Sequence, residues 1–89
     1  MLSYEDCLAL CELSEEEIAA IAEHEHIPRI VAIEFANFLC YLPGGEPRIR
    51  RIILDDIARA KTRGDKIHAL ALKLVLKRFV ERHPGALAR

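Results

Sequence analysis

The chain has 89 residues, of which 52% are hydrophobic and 30% charged, with a net charge of −1. This composition is typical of a folded protein and excludes a disordered one, and the length suits one domain over residues 1–89. An apolar stretch of about 20 residues, enough to cross a bilayer, is absent. Because the first residues lack a secretion-signal pattern and three cysteines cannot all pair within one chain, we expect a cytoplasmic protein with no membrane contact.

Charge is divided unevenly between the two halves of the chain. Residues 1–45 carry nine acidic side chains and one basic side chain, whereas residues 46–89 carry five acidic and twelve basic ones. The asymmetry favours packing of one half on the other, and it predicts an acidic face and a basic face for partners.

Capping residues mark the starts of the first three predicted helices. Ser3 followed by Asp6 fits an N-cap with an acidic residue in the first turn. Ser14 followed by Glu17 forms a capping box, and Pro28 suits the first turn of a helix. These signals predict helices over residues 4–12, 15–26 and 28–42.

Two further helices follow the break at Pro43, Gly44 and Gly45. We expect the fourth helix over 47–63, with Pro47 in its first turn and Gly64 in the left-handed position after its end. The fifth helix is expected over 66–82, capped by Asp65. No segment alternates with the period of two that strands require, so the predicted fold is all-α, a compact bundle of about five helices.

The third and fifth predicted helices are apolar around most of their circumference. Such helices are either central in a domain or part of a subunit interface. We therefore expect these two to be the central helices. Because three thinner helices cover them poorly, we also expect a homodimer.

The run Glu23-His24-Glu25-His26 is the first candidate metal site. Glu23 and His26 form a Glu-x-x-His motif that resembles the motif of ferritin-like di-iron proteins, which implies metal ligation by Glu23, His24 and His26. A complete site of that kind needs further glutamates and a second motif. A second copy of the chain, with Glu34 as an extra ligand, could supply them. The alternative interpretation is a solvated polar helix end.

Cys7 and Cys11 are the second candidate. Their spacing of four residues places both thiols on one helical face, where they could bind Zn²⁺ or Cu⁺ with Cys40 or a histidine, or take part in redox chemistry. They also lie in the one apolar stripe of this helix, together with Tyr4 and Leu8. The alternative is that both cysteines pack as small apolar side chains.

Asp56 and His68 are predicted to form a buried polar pair. Asp56 interrupts the apolar stripe of the fourth helix, and His68 lies on the apolar face of the fifth. The turn at Gly64 and Asp65 folds these helices antiparallel, so the two groups approach each other directly or through a neighbour. A carboxylate and an imidazole could perform acid–base chemistry. Because no side chain supplies a nucleophile, we expect no enzyme, no catalytic residue and no cofactor.

The last two helices are rich in basic residues that could follow a phosphate backbone. They lack aromatic and amide side chains for reading bases, and the acidic half of the chain would repel a polyanion. Nucleic-acid binding is therefore an alternative function that we do not favour. The basic surface comprises Arg48, Arg51, Lys66, Lys73 and Lys77.

Taken together, these patterns predict a non-catalytic helical interaction or regulatory module that is homodimeric and binds a protein partner. An exposed groove beside the third or fifth helix is the expected docking place, where a partner would pack as a helix. A metal-binding or redox protein is the first alternative, and a nucleic-acid-binding protein is the second.

Overall fold

The computed structural model describes residues 3–87, and within this range the predicted all-α fold is confirmed, with no strand. A short 3₁₀ helix, which the sequence did not predict, follows the last α-helix. The elements in chain order are α1 (Tyr4–Leu10), α2 (Glu15–Glu25), α3 (Arg29–Tyr41), α4 (Gly45–Thr62), α5 (Lys66–Arg82) and the 3₁₀ helix (Pro84–Leu87).

The predicted caps of α1 and α2 are present as reciprocal capping boxes. The backbone N–H of Asp6 donates to Ser3 Oγ at 3.1 Å, and the N–H of Ser3 donates to the Asp6 carboxylate at 3.2 Å. Ser14 and Glu17 make the same pair of bonds, at 3.2 and 2.9 Å. Each box satisfies backbone donors that have no partner within the helix, and a lost cap costs about 1 kcal/mol.

Two helix boundaries differ from the sequence prediction by two residues, and four others differ by one residue. The first helix ends at Leu10 rather than residue 12, because Cys11 is extended and its Sγ accepts a hydrogen bond from the N–H of Leu13 at 3.4 Å. The fourth helix begins at Gly45, two residues before the predicted start, after Gly44 with φ 78°. Pro47 then occupies the third helical position, where its missing N–H leaves no intrahelical bond unmade.

The central helix is α4, a correction to the expectation that α3 and α5 would be central. It contacts α2, α3, α5 and the 3₁₀ helix, and it buries one continuous face. α3 and α5 are apolar around most of their circumference for a different reason: part of the apolar surface of each helix remains exposed to solvent. Apolar residues on several sides of a helix therefore do not by themselves show that the helix is surrounded.

One apolar cluster joins all of the elements. α2, α3, α4 and α5 supply its fully buried large side chains, and Ala86 closes it from the 3₁₀ helix. The largest of these apolar side chains are Ile18, Ile21, Leu39, Ile49, Ile53 and Phe79.

The corner between α3 and α4 is unusually close. A Cβ atom added at Gly45 would lie 1.5 Å from the backbone oxygen of Leu39, so only glycine fits there. The N–H of Gly45 also donates to the carbonyl of Leu42 at 3.0 Å. This contact places α3 on one side of α4, while α2 and α5 pack on its other faces.

Candidate interaction surface

Helix α5 has two apolar faces. Its inner face buries Leu72 and Phe79 in the core. On the opposite side, Ile67, Leu70 and Leu74 are 86%, 63% and 51% exposed. Their spacing of three and four residues makes one stripe along the helix, which we call the outer stripe. These two apolar faces explain why the sequence of α5 is apolar around most of the helix circumference.

A row of lysines flanks the outer stripe. Lys66, Lys73 and Lys77 are all exposed, and their spacing of seven and four residues places them along one edge of α5. Within residues 3–87 none of the three pairs with a carboxylate. We call this edge the lysine row. It is the part of the predicted basic surface that borders apolar side chains.

A groove of about 330 Å³ lies between α2 and α5, on the other side of the outer stripe. Small and aliphatic side chains form its floor, and two acidic residues of α2, Glu16 and Glu23, form part of its edge. We call these two glutamates the acidic rim. The full lining is Glu16, Ala19, Ala20, Glu23, Arg29, His68, Ala71, Leu72 and Val75.

Two ionic contacts occupy the ends of this groove. His68 Nε2 lies 3.0 and 3.1 Å from the two carboxylate oxygens of Glu23. Arg29 Nη1 lies 3.5 Å from Glu15 Oε1, and both of these side chains are more than half exposed. Exposed pairs of this kind contribute at most about 1 kcal/mol, so they shape the groove more than they stabilise the fold.

No hydrogen bond joins Asp56 to His68, which the sequence predicted to approach each other directly or through a neighbour. Both carboxylate oxygens of Asp56 are buried and lack a hydrogen-bond partner, and His68 bonds to Glu23 instead. Burial raises the pKa of Asp56 to about 6. The charge of Glu23 contributes to this rise, while His24, Arg59 and His68 act in the opposite direction. The sequence did not reveal Glu23 as the competing partner, because α2 lies far from α5 along the chain.

The candidate metal ligands Glu23, His24 and His26 do not form one cluster. His24 Nδ1 lies 2.6 Å from Glu25 Oε2, and its Nε2 lies 3.2 Å from Asp55 Oδ2. His26 is exposed and ends α2 in the left-handed conformation, with φ 57°. Among the residues that the structure describes, no group of three or more His, Cys, Asp or Glu side chains is arranged to hold a metal ion.

The three cysteines are free thiols that are half-buried at the edge of the core. Burial raises the pKa of Cys40 to about 11, and the charges of Glu12, Cys11, Glu46 and Glu17 raise it in the same direction. Because the thiolate is the nucleophile and the metal ligand, this surrounding disfavours both roles for Cys40. Cys7 and Cys11 contact the apolar cluster, which agrees with the packing interpretation of their stripe.

The remaining predicted basic residues, Arg48 and Arg51, lie on α4 and not beside the lysine row. The guanidinium of Arg48 stands over the Phe35 ring of α3, 5.6 Å from its centroid. This cation–π contact packs the arginine stem on the surface of the bundle. The five predicted basic residues therefore belong to two different helices, with only the three on α5 in one row.

A second exposed apolar surface lies on α3. Phe38 is 59% exposed, Tyr41 is 81% exposed, and Val31 and Leu42 extend the same surface. The lysine row and the acidic rim lie on the two sides of the outer stripe of α5. Glu34, which is also exposed, lies on the same face of α3, so both apolar surfaces carry charged residues.

Two contacts of acidic side chains, one buried and one partly buried, were missed from the sequence. Arg82 donates to the Glu17 carboxylate, and Glu17 is 1% exposed. His83 Nδ1 lies 2.8 Å from Glu46 Oε2 and its ring stacks on Phe79, with centroids 4.8 Å apart. The capping box explained Glu17 completely at the level of sequence, so no signal remained to indicate its second role.

No protein-family model, curated protein or solved structure matches this chain. Within residues 3–87, none of the helices combines the length and the apolar character that crossing a membrane requires.

Proposed function

We propose that this protein is a non-catalytic interaction module that acts as a homodimer, with the outer stripe of α5 as the surface that a second copy covers. The observation that carries the proposal is the exposure of Ile67, Leu70 and Leu74, each more than half accessible to solvent. Burying one such side chain completely contributes about 1.5–3 kcal/mol. A contiguous exposed stripe of this kind is a feature of binding surfaces.

The fold does not need these three side chains for its own core. α5 packs on α4 and α2 through its inner face, where Leu72 and Phe79 are buried. Leu70 and Leu74 therefore add little to folding of one copy, while they expose apolar area to water. Contact with another molecule is the physical use that such positions support.

The hydroxyl groups of the described residues support a non-catalytic role. The side chains of Ser3 and Ser14 each accept a backbone N–H as helix caps. The hydroxyl of Thr62 donates to the carbonyl of Ala58 at 2.9 Å. Each serine and threonine hydroxyl among the described residues thus has a local structural partner, and none stands beside a histidine as an activated nucleophile would.

Size-exclusion chromatography with light scattering, run on untagged protein over a range of concentrations, tests the proposal. We expect a dimer for the natural chain and a monomer for Leu70→Glu, because the new carboxylate would be buried at the contact. Phe38→Glu is the matched control, since it makes the same kind of change on the exposed surface of α3 and should leave the dimer intact.

Three outcomes would contradict the proposal. A natural chain that stays monomeric at all concentrations removes the homodimer. A dimer that survives Leu70→Glu but not Phe38→Glu moves the interface to α3. A dimer that survives both changes places the interface on neither apolar surface. Circular dichroism of each variant verifies that its helices are intact.

A further inference from the structure

We propose that the two copies pair through parallel α5 helices, so that the lysine row of each copy lies along the acidic rim of the other copy's groove. This inference rests on the proposed homodimer and specifies its arrangement. The juxtaposition that carries it is an apolar stripe bordered by unpaired lysines on one side and by glutamates on the other. No feature outside α2 and α5 is required.

The order of side chains around α5 follows from its helical period. At 100° per residue, Lys66, Lys73 and Lys77 lie on one side of the outer stripe. Ala71 lies on the other side, next to the groove floor. Across the surface, the features therefore lie in the order lysine row, outer stripe, groove and acidic rim. The lysine row makes one edge basic, and Glu16, Glu23 and Arg29 lie at the other edge. Arg78 and Glu81 lie between the two edges.

Two-fold symmetry decides which edges meet. When the symmetry axis runs parallel to the helices, the lysine row of one copy faces the acidic rim of the other, and this contact occurs twice. When the helices are antiparallel, lysine row meets lysine row and acidic rim meets acidic rim. Like charges across an interface are unfavourable, so the lysine row and the two glutamates of the acidic rim favour the parallel pair.

The register along the helices fits the same arrangement. α2 and α5 run antiparallel, because Glu23 contacts His68 near the start of α5 while Glu17 contacts Arg82 near its end. A parallel second α5 therefore brings its own Lys66 to the Glu23 end of the groove and its Lys73 to the Glu16 end. Both pairs of positions are seven residues apart, which is about 10.5 Å along a helix.

The floor of the groove accommodates the approaching helix. Ala19, Ala20 and Ala71 are small, so a second backbone can come close to them. The volume of about 330 Å³ leaves room for the partner's Leu70 side chain, while Ile67 and Leu74 lie nearer the symmetry axis. The packing is helix-in-groove, the mode expected from the sequence, with the second copy as the occupant.

Charge reversal tests the arrangement in solution. One variant carries Lys66→Glu and Lys73→Glu, and the other carries Glu16→Lys and Glu23→Lys; all four positions are exposed. We expect each variant alone to dimerise about tenfold more weakly than the natural chain, because both contacts become repulsive. An equal mixture should form a heterodimer, since each new acidic edge meets a new basic one. Unchanged homodimer affinity in both variants would contradict the inference.

Cysteine crosslinking separates the parallel from the antiparallel pair. In a background with Cys7, Cys11 and Cys40 changed to alanine, Ile67→Cys and Leu74→Cys should each form a disulfide with the same residue of the second copy. In an antiparallel pair, at least one of these two positions would lie too far from the same position of the second copy to form a disulfide. Leu54→Cys, an exposed site on α4, is the control and should not crosslink.

The outcomes distinguish the two proposals. A monomeric natural chain removes both of them. A dimer that Leu70→Glu disrupts, but that neither responds to charge reversal nor crosslinks at both positions 67 and 74, retains the proposed function and overturns the parallel arrangement. Weakening by charge reversal together with crosslinking at both positions supports both.

Discussion

Arg82, in the last turn of α5, donates a hydrogen bond to the buried carboxylate of Glu17, in the first turn of α2, across 65 positions of sequence. Oε1 of the same glutamate accepts the backbone N–H of Ser14 at 2.9 Å. One side chain therefore caps α2 and anchors the end of α5. The other carboxylate oxygen, Oε2, is buried without a partner, so the arginine is the main compensation for this charge.

Replacement of Arg82 by leucine should lower the free energy of unfolding by about 1–3 kcal/mol, because Glu17 keeps its burial and loses its cation. Urea unfolding measures the loss. Arg78→Leu is the matched control on the same helix, since Arg78 is exposed and has no carboxylate partner within residues 3–87. Adding Glu17→Gln to Arg82→Leu should recover part of the loss, because an amide is less costly to bury. Equal losses for the two arginine variants would show that the ion pair is not important for stability.

The buried Asp56 makes stability depend on pH. Its pKa rises from 3.8 to about 6 on folding, so the folded protein holds this proton more tightly than the unfolded chain. The protonated form is the one that suits the fold. The contribution of Asp56 to the free energy of unfolding is therefore greatest below about pH 4 and falls as the pH rises through 6. Above that range it is lower by about 3 kcal/mol.

Asp56→Asn removes this titration. Relative to the natural chain, the variant should gain stability steadily between pH 4 and pH 7, which urea unfolding at several pH values will measure. Glu34 is exposed and forms no ion pair within residues 3–87, and Glu34→Gln serves as the matched control. The difference between the free energies of unfolding of the two variants isolates the titration of the buried carboxyl from that of the rest of the protein. A difference between the two variants that does not change with pH would contradict the assignment.

Gly44 and Gly45 should respond differently to alanine. At Gly45 the added methyl would meet the backbone oxygen of Leu39 at 1.5 Å, so α3 and α4 must separate. At Gly44 nothing lies within 4 Å, but φ is +78°. We expect Gly44→Ala to cost about 1–2 kcal/mol from the left-handed backbone and Gly45→Ala to cost about 3 kcal/mol or more. Thermal unfolding compares them, and equal costs would show that the corner can open freely.

The helices themselves could be predicted because their signals are local. Ser14 finds its partner three residues away, and Asp65 caps α5 by accepting the N–H of His68, as predicted. Gly64 has the predicted positive φ, 77°. Such contacts depend on a few neighbouring residues, so the sequence carries them directly. The end of α1 was misplaced because the Cys11 thiol has no recognised role as a cap.

The candidate surface could be predicted only in part. The apolar girth of α5, the lysine row and a groove beside α5 all followed from spacing. Which apolar residues stay exposed did not, because helical period gives the faces of a helix and not what covers each of them. In the structure, α4 covers the inner face of α5, and the outer stripe remains open.

The sequence alone thus determined the all-α class, the caps, the helix breaks and the division of charge. Tertiary structure alone decided that α4 is central, that His68 contacts Glu23 and not Asp56, and that Glu17 holds Arg82. The physical reason is the distance along the chain that separates the two partners of each contact. Caps and turns are satisfied within about four residues of backbone, whereas a side-chain partner across helices depends on where the packed helices cross.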